Sequence, residues 1–310
     1  MTPSTEEVLV ARQETAERWS SVTPSTADTP RSTRLDDEDE GGRPRSLIMD
    51  VCGAYMRPVQ GWMPVSALVT LMEELGVGEQ AVRSALSRLV RRELLVPERR
   101  ERVRGYRLSD VALPRLDDAD RRIFSHDEPA RLEDGWVLVS FSLPEYERDK
   151  RHALRSRLAW LGFGNITGGL WMAPARVEQH LHDDVERMGL QKYVTVFRAE
   201  HRGFADLAEL VRGCWDLEEL RLMYDDFLER TEPVLADWRQ IGRAAGVDAF
   251  VDYTVALYRW RKFPYQDPGL PAEVLPDGWA GARAREVFFE LHELLAVPAL
   301  THVRAVVGRS

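Results

Sequence analysis

Between residues 79 and 92, apolar side chains recur at Val82, Ala85, Leu86, Leu89 and Val90. That is the i, i+3, i+4, i+7, i+8 spacing of a helix with one buried face. Just ahead, Val65, Leu68, Val69, Met72 and Leu75 trace a second short amphipathic helix, with Gly76 as its stop. After both, LLVPERR and RVRGYRL read as two strands turning at Glu101 and Arg102. Helix, glycine-containing turn, helix and basic hairpin predict a winged helix-turn-helix. Upstream, Leu47, Ile48, Val51, Cys52 and Tyr55 mark the apolar face of one more helix, so Cys52 is expected to be core packing.

The pattern then changes. Residues 110–133 form a charged bridge with a helix around 117–124 and a loop at 126–133. A strand at 136–142 precedes a helix at 146–161, with Leu154, Leu158 and Leu161 inside. Short strands at 162–167 and 169–173, a helix at 177–188 and a strand at 193–199 follow. The order β-α-β-β-α-β predicts a ferredoxin-like module. Beyond Phe204 only helical patterns remain, at 207–215, 217–245, 249–260 and 280–296, interrupted by a Pro/Gly-rich stretch at 264–279. The expected fold class is α+β and multidomain. An arm (1–43) is followed by a winged helix-turn-helix (44–110), a linker (111–133), a ferredoxin-like dimerisation domain (134–201) and a helical domain (202–310).

Charge sharpens this picture. The chain carries a net −9, yet residues 81–108 hold nine Arg against three Glu, a local +6. A basic island in an acidic protein is the electrostatic footprint of a nucleic-acid contact. The polar face of the 79–92 helix presents Arg83, Ser84, Ser87, Arg88 and Arg91. The hairpin adds Arg99, Arg100, Arg102 and Arg104, with Tyr106. Long donors and hydroxyls of this kind suit phosphates and base edges. The arm is rich in Ser, Thr, Pro and acid, ends in Asp36-Asp37-Glu38-Asp39-Glu40, and is expected to be disordered. Two distant cysteines, Cys52 and Cys214, and no long apolar run point to a soluble cytoplasmic protein without disulfides.

Enzymatic motifs do not survive inspection. GFGNITGG at 162–169 lacks the third glycine of a phosphate loop and opens no helix directly, so two strands joined by a glycine turn explain it. His180 and His182 lie two apart on a helix and face different ways, so they do not meet one ion. The first strand of the central module ends in Ser140-Phe141-Ser142, with no carboxylate to hold a nuclease metal. No catalytic residue, metal or cofactor is expected. A second constellation is Tyr258-Arg259-Trp260-Arg261-Lys262-Phe263 with Tyr265. Cations interleaved with aromatics suit a coenzyme A ester. They equally suit a helix end whose cations offset the negative dipole while its rings pack inward.

Four segments, PRSLIMDVCG, VRSALSRLVRRELL with GYRLSD, WLGFGNITGGLWMAP and YRWRKFPYQDPGLPAEVLP, give the chain a resemblance to the PaaX family of bacterial repressors of phenylacetate catabolism. It spans about residues 45–303; the acidic arm and the short wing tip depart from the family's pattern. The resemblance implies a homodimeric repressor that holds double-stranded operator DNA at an inverted repeat. It also implies release by an acyl-CoA effector, typically phenylacetyl-CoA, and it tips the reading of Arg259, Trp260, Arg261, Lys262 and Tyr265 towards that effector. Two alternatives stand beside it: a metal-dependent nuclease on the ferredoxin-like module, and a protein-binding module with a vestigial winged helix.

Overall fold

A computed structural model describes residues 43–125, 130–204, 206–241 and 246–310. The arm expected at 1–43 lies almost wholly outside the described residues.

Helix α1 (Arg43–Val51) runs into a π-helical turn at Cys52–Met56. Leu47, Ile48, Val51 and Cys52 are fully buried there, as their spacing predicts. A three-residue strand β1 (Trp62–Pro64), which the sequence pattern did not announce, leads into α2 (Val65–Glu74) and α3 (Glu79–Arg91). Gly76 ends α2 with φ +81°, and the Gly76 and Val77 amides return to the carbonyls of Glu73 and Met72. This left-handed stop is one that glycine adopts without strain. Strands β2 (Leu95–Arg100) and β3 (Val103–Leu108) make an antiparallel hairpin, and β1 pairs on the far side of β3. Helix α4 (Ala112–Ile123) follows.

The middle of the chain gives β4 (Trp136–Phe141), α5 (Arg148–Trp160), β5 (Gly164–Thr167), β6 (Leu170–Pro174), α6 (Glu178–Arg187) and β7 (Val194–Ala199). Their sheet is antiparallel in the order β5-β6-β4-β7. Alternation along β4 sends Val137 and Val139 to the face covered by Leu154 and Leu158 of α5 and Leu181 and Val185 of α6. Trp136 faces the other way, with Met172, against Val211 of α7 (Leu207–Cys214) and against Leu270 and Val274.

Helices α8 (Leu217–Ile241), α9 (Gly246–Trp260), the single turn α10 (Phe263–Gln266) and α11 (Gly281–Gly308) complete the chain. The expected end of the last helix near residue 296 is corrected: α11 continues through Pro298 to Gly308. A proline inside a helix costs about 3 kcal/mol. Beyond it, Ala299 and Val303 are fully buried and Val306 nearly so, and that burial carries the helix onward.

The first and last thirds of the chain share one core. Leu47, Met63, Leu68 and Leu86 belong to the same cluster as Phe250, Trp260, Phe288 and Val303. The Tyr55 and Thr254 hydroxyls, both buried, meet at 2.9 Å within it. The Trp260 indole donates to the Ile123 carbonyl at 3.1 Å, and His302 meets Glu74 at 2.9 Å.

Gly105, in β3, is where β1 comes closest to the hairpin. A Cβ there would stand 2.4 Å from the Met63 carbonyl oxygen and equally close to the Trp62 indole. Because the obstacle is partly backbone, the strand itself must shift. Gly105→Ala is therefore expected to lower stability by about 1–3 kcal/mol, the usual cost of overpacking. A urea denaturation midpoint unchanged from the parent would refute this packing.

Candidate nucleic-acid interface

Helix α3 inserts Val82, Ala85, Leu86 and Leu89 into the shared core, so its remaining positions face outward. Arg83, Ser84, Ser87 and Arg91 are exposed and Arg88 is half-buried. Arg83 lies along its own helix against Glu79, Nε to Oε1 at 2.7 Å. Arg88 donates to Ser84 Oγ at 2.9 Å, so two candidate base readers hold each other in place.

In the hairpin, Arg99, Arg102 and Arg104 are exposed and Arg100 is half-buried. Glu101 and Arg102 form the two-residue tip, both with positive φ, 44° and 75°. Turns of this kind match the right-handed twist of the flanking strands and usually use Asn or Gly. Here the strained positions carry charged side chains, and Arg99 Nε steadies the tip by donating to the Arg102 carbonyl at 3.1 Å. Tyr106 rests half-buried against the core instead of projecting from the hairpin.

The basic island keeps most of its charge. Glu79 engages Arg83, while Glu98 engages Arg100 and Arg107. Arg88, Arg91, Arg92, Arg99, Arg102 and Arg104 have no ion-pair partner among the described residues. Two residues outside the predicted set shape this surface. Glu98 orients two hairpin arginines, and Trp62 lies under Arg100, whose guanidinium carbon is 5.2 Å from the ring centre. Nothing in the local periodicity marks a lone tryptophan in so short a strand.

The second constellation is not brought together. Trp260 is buried at 4 % exposure, stacked on Phe288 with ring centres 4.8 Å apart. Arg259 reaches Asp226 of α8 at 3.3 Å. Arg261 turns the other way, its Nε 2.9 Å from Asp50 Oδ2 and its NH2 on Ser46 Oγ. Lys262 lies over Tyr258, and Tyr265 stands beside Trp160 and Arg122. The adjoining Pro/Gly-rich stretch is pinned. Tyr224 donates to Asp267 at 2.5 Å, Arg176 donates to the Pro268 carbonyl at 3.1 Å, and Leu270 and Val274 are buried.

In the central module the turn between β5 and β6 is a hairpin, as GFGNITGG predicts. His180 and His182 sit on α6, where Asp184 is buried between the guanidinium groups of Arg157 and Arg187. Among the described residues no helix is long and apolar enough to cross a membrane.

Three family models match the chain in succession. Residues 43–112 match the model described as PaaX-like protein, 129–211 the PaaX protein central Cas2-like domain, and 215–305 the PaaX-like protein C-terminal domain. The chain is 28 % identical over 262 residues to the transcriptional repressor PaaX of Escherichia coli strain K12, covering 83 % of this chain and 82 % of that one. Among solved structures it resembles the uncharacterized protein Rv0674 from Mycobacterium tuberculosis. There the TM-score is 0.53 at 25 % identity, over 85 % of this chain and 98 % of that one.

Arg261 gives a direct test of its structural role. Burial pushes the Asp50 carboxyl from its ordinary 3.8 up to about 7, with Arg261 and Lys262 pulling it back down. A carboxyl raised in the folded state favours folding at low pH, and its contribution is lost as pH rises from about 4 to about 7. Arg261 limits that loss, because only the ionised carboxylate needs a cation. Arg261→Ala is therefore expected to cost about 3 kcal/mol at pH 8, as for breaking a buried pair, and clearly less at pH 5. A loss equal at both values would contradict the pairing.

Proposed function

The chain belongs to the PaaX-like family, and from that premise we propose that it is a transcriptional repressor holding duplex DNA through α3 and the β2–β3 hairpin. In this reading α2, α3 and the hairpin are a winged helix-turn-helix. Helix α3 enters the major groove with Arg83, Ser84, Ser87 and Arg88, while Arg91, Arg99, Arg100, Arg102 and Arg104 meet phosphates or the minor groove. The observation that carries it is the row of six arginines that no carboxylate pairs among the described residues, on an otherwise acidic protein. The exposed Arg83–Glu79 pair does not oppose it. Such pairs are worth about 0–1 kcal/mol, and a phosphate competes for the guanidinium.

The βαββαβ module is taken as ferredoxin-like and as the dimerisation unit. Its edge strand β7 carries Phe197 at 53 % exposure, an apolar side chain suited to a second copy. A two-fold dimer doubles the few base contacts one helix makes and requires an inverted repeat. Release by an acyl-CoA thioester completes the proposal. The likeness to a repressor supports a non-enzymatic regulator, and the nuclease alternative is not favoured: β4 ends without a carboxylate, and Asp184 is committed to two arginines.

The reading is tested on the DNA upstream of the chain's own gene by electrophoretic retardation. A bidentate arginine–base contact is worth about 1–3 kcal/mol, so Arg88→Ala is expected to weaken operator binding far more than binding to random DNA. Equal weakening on both would reduce Arg88 to a phosphate contact.

The Arg102→Ala/Arg104→Ala pair is expected to lower the slope of log K against log salt by about 0.9 for each phosphate lost. Unchanged affinity and slope would take the hairpin off the DNA.

A further inference from the structure

A cleft of about 480 Å³ opens beside the tip of the hairpin, where it faces the last turns of α11. Pro58, Trp62 and Pro64 line one side, Arg100 and Val103 of the hairpin the second, and Arg304 and Val307 of α11 the third. The size lies within the range of small-molecule sites, about 300–1,000 Å³. Prolines, valines and an indole offer an apolar, flat-faced lining, and two guanidinium groups arrive from elements some two hundred residues apart in sequence. Glu101 at the hairpin tip also borders the cleft, and Arg100 is shared with Glu98, so an anionic ligand competes with that carboxylate for the guanidinium. This mixture fits a ligand with an anionic group and a flat apolar tail. Of the 258–265 segment, by contrast, Trp260 is spent on the core, Arg261 on Asp50 and Arg259 on Asp226.

Position gives the cleft its significance. Arg100 is one of the proposed DNA contacts, so an anion seated here competes with phosphate for the same guanidinium. A ligand wedged between Val103 and Val307 also presses the hairpin away from α11, whose Ala284, Leu291 and Val303 are fixed in the shared core. A ligand shifts an equilibrium only by as much as its affinity differs between the two states. Here the difference arises because the DNA-bound hairpin and the filled cleft both need Arg100.

We propose that this cleft is the effector site: it takes an anionic ligand with an aryl or acyl tail, and filling it withdraws the hairpin from DNA. The proposal rests on the ligand-responsive repressor reading given above. Its test uses the full chain, phenylacetyl-CoA as probe, and coenzyme A and phenylacetate as partial probes, with calorimetry for binding and retardation for operator release. Arg304→Gln, at an exposed position, is expected to weaken phenylacetyl-CoA binding at least tenfold and to abolish release, with operator affinity held within twofold. Val307→Trp, which fills the cleft without touching charge, is expected to weaken the ligand similarly. If the parent binds and is released while both variants bind as tightly, the cleft assignment falls and the repressor reading stands. If the parent neither binds phenylacetyl-CoA nor is released by it, the effector reading fails and takes the cleft with it.

Discussion

The buried seam between the first helices and the last ones determines where every other element stands. Tyr55 and Thr254 are 199 residues apart, yet their hydroxyls meet at 2.9 Å in a region closed to water. Leaving either buried hydroxyl unpaired costs about 1–3 kcal/mol. Around them Leu47, Leu68 and Leu86 interlock with Phe250, Phe288 and Val303 in one apolar cluster. The helix–hairpin unit is thus not a bead on a linker. Its α3 is oriented by a core that α9 and α11 help to build.

A second joint ties in the central sheet. Asp267 accepts from Tyr224 and from the Gly269 amide, Arg176 of the central module holds the Pro268 carbonyl, and the Gly269 carbonyl receives the Ala130 amide. Leu270 and Val274 then close the sheet face carrying Trp136 and Met172. The Asp-Pro-Gly-Leu-Pro stretch earns its irregular composition as a connector. Each special residue either turns the chain or gives up a backbone group to a neighbouring element.

Much of this was legible because it is local. The apolar stripe of α3, the Gly76 stop, the hairpin of GFGNITGG and the strand–helix order of the central module each follow from spacing within a few residues. The charge of the basic island was legible too, because arginine counts need no structure. Other features depend on partners far away in sequence. Strand β1 is too short for a periodic signal, and it exists because β3 offers it a ladder. Helix α11 outlasts Pro298 because Ala299 and Val303 find the core. The 259–262 run looks like one cluster in sequence. Successive helical residues point about 100° apart, so Arg259, Trp260 and Arg261 meet three different surroundings. Trp62 and Arg304 gave no sign at all, since only the fold brings them to the lining of one cleft.

The claim on which everything else rests is that DNA is held by α3 and the hairpin and not by the central sheet. Amide hydrogen exchange on the full chain, with and without the DNA upstream of its gene, addresses this most directly. Slowed exchange concentrated in residues 79–108, with the strands of 136–199 unchanged, is the expected result. Protection centred on the central sheet, with α3 and the hairpin exchanging as freely as before, would contradict it.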